Sequence, residues 1–190
     1  MFGIYLQLGF DHILDLNAYD HILFVMTLCA IYVLADWKKV LWLVTAFTVG
    51  HSLTLALSVF SLVSIPASLI EKLIPITIMV TALSNVFWKA EGNNRMRWLY
   101  IMAGFFGLIH GLGFSNYLKA LLGGEEDLLL PLFAFNLGVE GGQILIVAMA
   151  MALNFVWTRW LGLKNYIWIR IISFLAFWVA FYLLKKKKKN

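Results

Sequence analysis

Long uninterrupted apolar stretches constrain the fold of this chain more than any other feature of its sequence. A helix needs about 20 mainly apolar residues to cross the hydrocarbon core of a bilayer. The 190-residue sequence holds six stretches of about this length or longer, at 17–35, 40–62, 67–88, 98–122, 128–157 and 166–184. They are continuously apolar and do not alternate with polar residues, so they predict helices and not strands.

The overall composition excludes a water-soluble protein. Hydrophobic residues make up 62% of the chain and charged residues 13%, against roughly 45–50% and about 25% in soluble domains. A soluble enzyme, a disordered chain and a nucleic-acid-binding domain are therefore excluded, despite the net charge of +5. We predict an all-α polytopic membrane helix bundle with about six transmembrane helices. Residues 1–184 form a single integral membrane domain, and residues 185–190 form a basic tail.

Basic residues in the gaps between the stretches indicate an orientation. The gaps after the first, third and fifth stretches hold most of the internal lysine and arginine, whereas three acidic residues outweigh Lys119 after the fourth. The positive-inside rule then places the N-terminus outside the cell (inner) membrane. The lysines at 185–189 disagree, because six spans place them outside as well. A seventh half-span within 128–157 would remove this conflict.

Ionisable side chains in or beside the apolar stretches are the candidate functional residues. A charged group at mid-bilayer costs about a few kcal/mol, so it must be paired, protonated or bound to a metal. The acidic candidates are Asp20 and Glu140. All four histidines of the chain also qualify, namely His12, His21, His51 and His110.

Helical spacing groups further polar residues with these candidates. Asn136, Glu140 and Gln143 are spaced i, i+4 and i+7, so they share one face of the fifth stretch. The second and third stretches carry similar polar stripes, made up of Thr45, Thr48 and Ser52 and of Thr77, Thr81 and Asn85. We expect a polar interior between these helices, in which Ser52, Asn136 and Gln143 support the ionisable groups.

Two clusters of glycine surround ionisable residues. Four glycines between 104 and 113 flank His110, and three between 138 and 142 flank Glu140. Small residues let membrane helices approach closely, and they also permit the broken helices that line binding sites in transporters. Because both clusters centre on an ionisable residue, we predict glycine-rich breaks in spans four and five.

The available donor groups fit a divalent cation. Neutral imidazoles and carboxylates bind zinc, nickel, cobalt and iron. Cys29 is the only cysteine, so a cysteine metal cluster cannot form within one chain. A divalent ion would satisfy several of the buried groups at once.

Four segments carry a resemblance to a known family: 9–14 leading to Asp20 and His21, then 47–55, 107–114 and 135–143. They resemble the HupE/UreJ family of bacterial membrane proteins, which is associated with hydrogenase and urease accessory systems and with nickel or cobalt uptake. The histidine followed by Asp-His is also similar to the nickel-permease signature, although the spacing in this chain is longer. The resemblance implies a six-span protein that handles a nickel-like metal through His12, Asp20, His21, His51, His110 and Glu140.

The favoured hypothesis is a membrane transporter or permease for nickel or cobalt, and not an enzyme. Segment 11–21 would collect the hydrated ion at the outer face. Asp20, His21 and His51 would then remove its water, and His110 with Glu140 would pass it inward. The sequence holds no nucleotide-binding motif, so protons, which compete with metals for these ligands, or the membrane potential would drive transport.

Two alternative functions stay open. An intramembrane zinc-dependent hydrolase acting on lipid would hold zinc with His21, His51 and His110, assisted by Ser52 or Asp20. A metal-free structural accessory protein would use the polar residues only to join helices. The expected partners are the lipid bilayer and a divalent metal ion, not nucleic acid. A second copy of the chain or a metalloenzyme-maturation protein is a further candidate partner.

Overall fold

Seven α-helices make up the described part of the chain. The computed structural model describes residues 1–16, 19–87, 93–123 and 127–189, so the predicted boundaries at 17, 88 and 190 lie outside it. In chain order the helices are α1 (Phe2–Leu14), α2 (Asp20–Cys29), α3 (Trp37–Val59), α4 (Ala67–Phe87), α5 (Asn93–Leu122), α6 (Leu129–Phe155) and α7 (Asn165–Lys189). A 3-10 turn, Leu34–Asp36, precedes α3, and a π-helical segment, Val156–Trp160, follows α6.

Five of the described helices are long and apolar enough to cross a membrane. They match the second to sixth predicted stretches and cover Leu34–Val59, Ala67–Phe87, Met96–Leu122, Leu129–Trp160 and Asn165–Lys187. The described residues include no strand. The chain is therefore a multi-pass membrane protein, and the prediction of an all-α membrane bundle is confirmed.

The first span is discontinuous, so the prediction of one helix at 17–35 is wrong. α1 has 13 residues and α2 has 10, which gives lengths of about 20 Å and 15 Å, each too short to cross about 30 Å of hydrocarbon. α1 lies along the first half of α6, where Gly9 contacts the Phe135 carbonyl. The turn after α2 lies near the other end of α6, where Asn154 donates to the Tyr32 carbonyl. α1 and α2 therefore follow one another along α6 and together form the remaining span.

The glycine clusters do not break their helices, which corrects the prediction for spans four and five. α5 and α6 continue through both clusters, because the space beside Gly107 and Gly138 is filled by the backbone of a neighbouring helix. α6 is unbroken from Leu129 to Phe155, so the half-span considered within 128–157 is absent too.

The lysine run continues the last helix. α7 extends through these lysines to Lys189 and ends at the same end of the bundle as the start of α1. The conflict between this run and the internal basic gaps therefore persists, and the predicted orientation stays a prediction. The division into a domain at 1–184 and a tail at 185–190 stays a prediction as well.

Three helix pairs form the main contacts of the bundle: α3 with α5, α1 with α6, and α4 with α7. The side chains of Phe24, Phe47 and Phe135 are almost fully buried at its centre. Polar side chains share this centre with them, and His51 and His110 are among the most buried residues of the chain. The fold thus places imidazole rings inside an aromatic core.

Candidate metal centre

The crossing of α3 and α5 positions His51 and His110. Gly107 lies directly against the Phe47 carbonyl, and Gly111 lies against the His51 carbonyl and the Thr54 hydroxyl. Thr54 Oγ1 also donates a hydrogen bond of 2.8 Å to the Leu108 carbonyl of α5. Because no Cβ separates the two backbones, the histidines of both helices enter the same small region of the core.

The crossing of α1 and α6 positions His12 in a similar way. Gly138 lies against the Leu6 carbonyl, and a Cβ at Gly142 would meet the Phe10 carbonyl oxygen at 3.2 Å. This close approach places the C-terminal turn of α1, which carries His12, beside the centre of α6. α2 begins a few residues later with Asp20 and His21. The first span is therefore interrupted next to its ionisable residues, His12, Asp20 and His21.

Three histidines form a cluster at this interruption. One ring nitrogen each from His12, His21 and His51 lies within 4.8 Å of the others. The ring centroids of His12 and His21 are 4.7 Å apart, and each is about 6 Å from the ring of His51. His110 extends the cluster, with its ring 5.1 Å from that of His21. All four histidines were predicted from the sequence as candidate ligands, and the fold brings them together.

Several imidazole nitrogens in the cluster have no hydrogen-bond partner among the described residues. They are His12 Nε2, both ring nitrogens of His21 and His51, and His110 Nδ1. A buried polar atom without a partner costs about 1–3 kcal/mol. Two nitrogens bound to one tetrahedral zinc ion at about 2.0–2.1 Å lie about 3.4 Å apart. Nitrogens already within 4.8 Å need only small shifts to reach that spacing, so the cluster suits a transition-metal ion.

Asp20 lies beside the cluster and contacts His21. Its Oδ1 is 3.1 Å from His21 Nδ1, an ion-pair distance without hydrogen-bond angles. The same oxygen accepts a hydrogen bond of 2.9 Å from the His21 backbone N–H. Carboxylates in this position commonly orient a metal-binding imidazole through its second nitrogen. Asp20 therefore fits an orienting role, which would leave Nε2 of His21 for an ion.

Glu140 lies away from the histidines, on the other side of the α3–α6 contact. Its Oε1 accepts a hydrogen bond of 3.0 Å from Thr45 Oγ1. Within the described residues, no hydrogen bond or ion pair joins Glu140 to a histidine. It lines a groove of about 460 Å³ together with the polar residues Thr45, Thr48, Ser52 and Asn136. The predicted supporting residue Ser52 thus belongs to this groove.

Asn136 and Gln143 are the predicted supporting residues of α6, and both contact residues of the groove or the cluster. The Asn136 amide faces the His51 imidazole and donates to the Leu132 carbonyl, whereas its Oδ1 has no partner among the described residues. Gln143 is fully buried and accepts a hydrogen bond of 2.6 Å from Thr48 Oγ1. Its Nε2 also lacks a partner among the described residues. Asn136 therefore connects the oxygen-lined groove with the nitrogen-rich cluster, whereas Gln143 contacts the groove residue Thr48.

The depth of the cluster follows from helix geometry. His51 is eight residues from Val59 and fourteen from Trp37, or about 12 Å and 21 Å at 1.5 Å per residue. Thr45 faces Glu140 while His51 faces Asn136, so α3 runs opposite to α6 and to α1. The Val59 end of α3 therefore lies at the face where α1 begins. The cluster is nearer to this N-terminal face.

Aromatic rings surround the cluster, and their role was not predicted from the sequence. The Phe114 ring lies 3.9 Å from the ring of His12, and the rings of Phe24 and Phe47 lie 5.0 and 5.2 Å from that of His110. Phe47 and Phe114 belong to the same sequence motifs as His51 and His110, and this proximity in sequence could have indicated that they line the site. This shell limits the access of water and so strengthens electrostatic interactions at the site.

Comparison with protein-family models gives a match over nearly the whole chain. The family model described as "HupE / UreJ protein" matches residues 1–186, which is almost the whole chain. No curated protein and no solved structure shows a significant match to the chain. The family relationship is therefore supported along the full bundle.

Proposed function

The chain belongs to the HupE/UreJ family, and from this premise we propose that it carries a divalent transition-metal ion, nickel or cobalt, across the cell membrane. One observation carries the proposal. His12, His21 and His51 present ring nitrogens within 4.8 Å of one another, and these nitrogens include buried ones without hydrogen-bond partners. The cluster would bind the transported ion as substrate.

The chemistry of the cluster favours a borderline transition metal. Imidazole nitrogens suit zinc, copper, iron and nickel, whereas magnesium and calcium prefer oxygen ligands. Affinity for such sites follows the Irving–Williams order and does not separate nickel from zinc. The choice of nickel or cobalt rests on the family.

The discontinuous first span supports transport. Transporters commonly place substrate sites near the bilayer midplane, where a helix is interrupted. In this chain His12 lies in the last turn of α1 and His21 in the first turn of α2, so a small movement of α1 against α2 would change the distance between two ligands. Conduction requires binding that is also weak enough for release. We propose that this movement loads and releases the ion, with entry from the nearer, N-terminal face.

The groove between α3 and α6 supports a second, oxygen-lined station. Glu140, Thr45 and Asn136 offer oxygen ligands there, which suit a partly hydrated divalent ion. Asn136 faces both the groove and His51, so it would connect the two stations. In this scheme Glu140 acts apart from His110, in contrast to the predicted pairing of the two.

Nickel uptake into vesicles tests the proposal. The purified full-length chain is reconstituted into phospholipid vesicles, and entry of radioactive nickel is followed over time. We expect His51→Ala and His21→Ala to reduce uptake by more than the 10–100-fold that is typical for loss of an outer-shell partner. Ser58→Ala is the matched control, because Ser58 is buried on the same helix, two turns beyond His51. Uptake that His51→Ala and His21→Ala leave unchanged would reject the mechanism.

A zinc-dependent hydrolase acting on lipid is the second candidate, and the three-histidine geometry favours it. Three histidines around one ion with an open position for water are a known catalytic arrangement. The fold gathers His12, His21 and His51 most closely, a different trio from the one predicted. Tightly retained zinc together with phospholipid cleavage would support this candidate, whereas an ion that exchanges and crosses vesicles would support transport.

A further inference from the structure

A buried contact joins α4 to α5 at His110. Thr77 and His110 are 2% and 0% exposed. The hydroxyl oxygen of Thr77 lies 3.0 Å from His110 Nε2. The same oxygen lies 2.7 Å from the carbonyl oxygen of Ile74, one turn earlier on α4. Thr77 is therefore placed between a backbone carbonyl and an imidazole.

The position of the hydroxyl proton follows from these two contacts. A hydroxyl has one hydrogen to donate, and a carbonyl oxygen has none. An oxygen–oxygen distance of 2.7 Å is that of an O–H···O hydrogen bond, so the Thr77 hydrogen points at the Ile74 carbonyl. Threonine in a helix commonly donates back to a carbonyl in the preceding turn. The side of Thr77 Oγ1 that faces His110 then offers only lone pairs.

The imidazole of His110 must therefore donate at this contact. A neutral imidazole carries one N–H, and the other nitrogen is an acceptor. With the hydrogen on Nε2, the lone pair lies on Nδ1, which is buried and has no hydrogen-bond partner among the described residues. The ring of His110 is next to that of His21. The free lone pair thus belongs to a ring that adjoins the histidine cluster.

We propose that Thr77 is a positioning residue that holds His110 in the Nε2–H form, so that Nδ1 is presented as a further nitrogen ligand for the transported ion. The ion-binding half of this inference rests on the proposed function, whereas the assignment of the hydrogen does not. Outer-shell groups of this kind fix both the tautomer and the orientation of a ligating histidine. Thr77 itself does not touch the ion.

The first test reads the tautomer directly in metal-free protein. The full-length chain, labelled with ¹³C,¹⁵N-histidine, is placed in phospholipid vesicles and studied by solid-state NMR, with His110→Gln used to assign the resonance. The wild type is expected to show hydrogen on Nε2 alone. Thr77→Val is expected to give a mixture of both tautomers, and Thr77→Ser to restore the wild-type form. Hydrogen on Nδ1 in the wild type, or an unchanged tautomer in Thr77→Val, would overturn the proposal.

The second test measures affinity for cobalt(II), by titration of the same protein. Thr77→Val should weaken binding about 10–100-fold, as removal of other outer-shell partners does, and Thr77→Ser should restore it. Thr81→Val is the matched control, because Thr81 is equally buried one turn further along α4 and donates to the Thr77 carbonyl.

The two tests separate two kinds of failure. If the wild type binds cobalt(II) and Thr77→Val binds it equally well, the positioning role is wrong and the proposed function stands. If the wild type binds no cobalt(II), the proposed function and the ligand role of His110 both fail. In that case the NMR result alone decides which nitrogen carries the hydrogen.

Discussion

Substitution of Gly107 by alanine should force α5 away from α3. A Cβ at this position would overlap the Phe47 carbonyl oxygen and lie 3.0 Å from the His51 backbone nitrogen, whereas ordinary contacts lie between 3.4 and 4 Å. Both neighbours are backbone atoms and cannot rotate aside, so the helices must separate. Overpacking of this kind costs about 1–3 kcal/mol. We expect the free energy of unfolding to fall by that amount.

Gly104→Ala is the matched control on the same helix. A Cβ there would meet the Ala46 carbonyl oxygen at 3.5 Å, an ordinary contact, so we expect stability close to the wild type. Unfolding by sodium dodecyl sulfate in mixed micelles, followed by circular dichroism, measures the difference between the variants. Equal midpoints for Gly107→Ala and Gly104→Ala would refute the close crossing of α3 and α5.

Nickel uptake provides a second measurement that compares Gly107→Ala with Gly104→Ala. A misplacement of about 1 Å can reduce a reaction rate on the order of 100-fold, so Gly107→Ala should reduce uptake much more than Gly104→Ala. If Gly107→Ala lowers stability but transports nickel normally, the histidine geometry does not depend on this crossing. That result would contradict a role of the glycines in positioning the histidines.

Three further predictions concern polar residues elsewhere in the bundle and beside the cluster. Asp20→Asn should weaken cobalt(II) binding about 10–100-fold, because the carboxylate that orients a ligand is lost; titration measures this, and unchanged affinity would contradict the orienting role. Asn85→Leu should lower the free energy of unfolding by about 1–3 kcal/mol, because the buried hydrogen bond of 2.7 Å to the Thr27 carbonyl is lost. The control is Ser84→Leu, which should have little effect on stability because Ser84 lines an apolar groove. Glu140→Gln should retain stability, since an amide oxygen can still accept from threonine, but should slow nickel uptake; normal uptake would contradict an ion station there.

The sequence predicted the membrane spans and the candidate ligands well, because both depend on properties of individual residues and not on contacts between helices. Apolar length alone identified the five long helices, because each side chain transfers into lipid independently of its neighbours. The four histidines and the carboxylates stood out for the same reason, since each is costly in hydrocarbon. The glycine clusters were correctly identified as unusual, but their role was not.

Other features depend on pairs of helices. Whether a glycine breaks a helix or packs against its neighbour is decided by what fills the space beside it, and at Gly107 and Gly138 that is another backbone. The position of Glu140 across the α3–α6 contact, and of Thr77 against His110, also depends on which faces meet. Spacing along one helix defines a face but not its partner.

The sequence by itself therefore determined that this chain is a helical membrane bundle with imidazoles and carboxylates in or beside its apolar spans. The tertiary structure decided that the first span is interrupted beside His12 and His21, that three histidines converge there, and that Glu140 lines a separate groove. The physical reason is that insertion into lipid is a sum over individual residues, whereas a binding site arises from the close approach of helices distant in sequence.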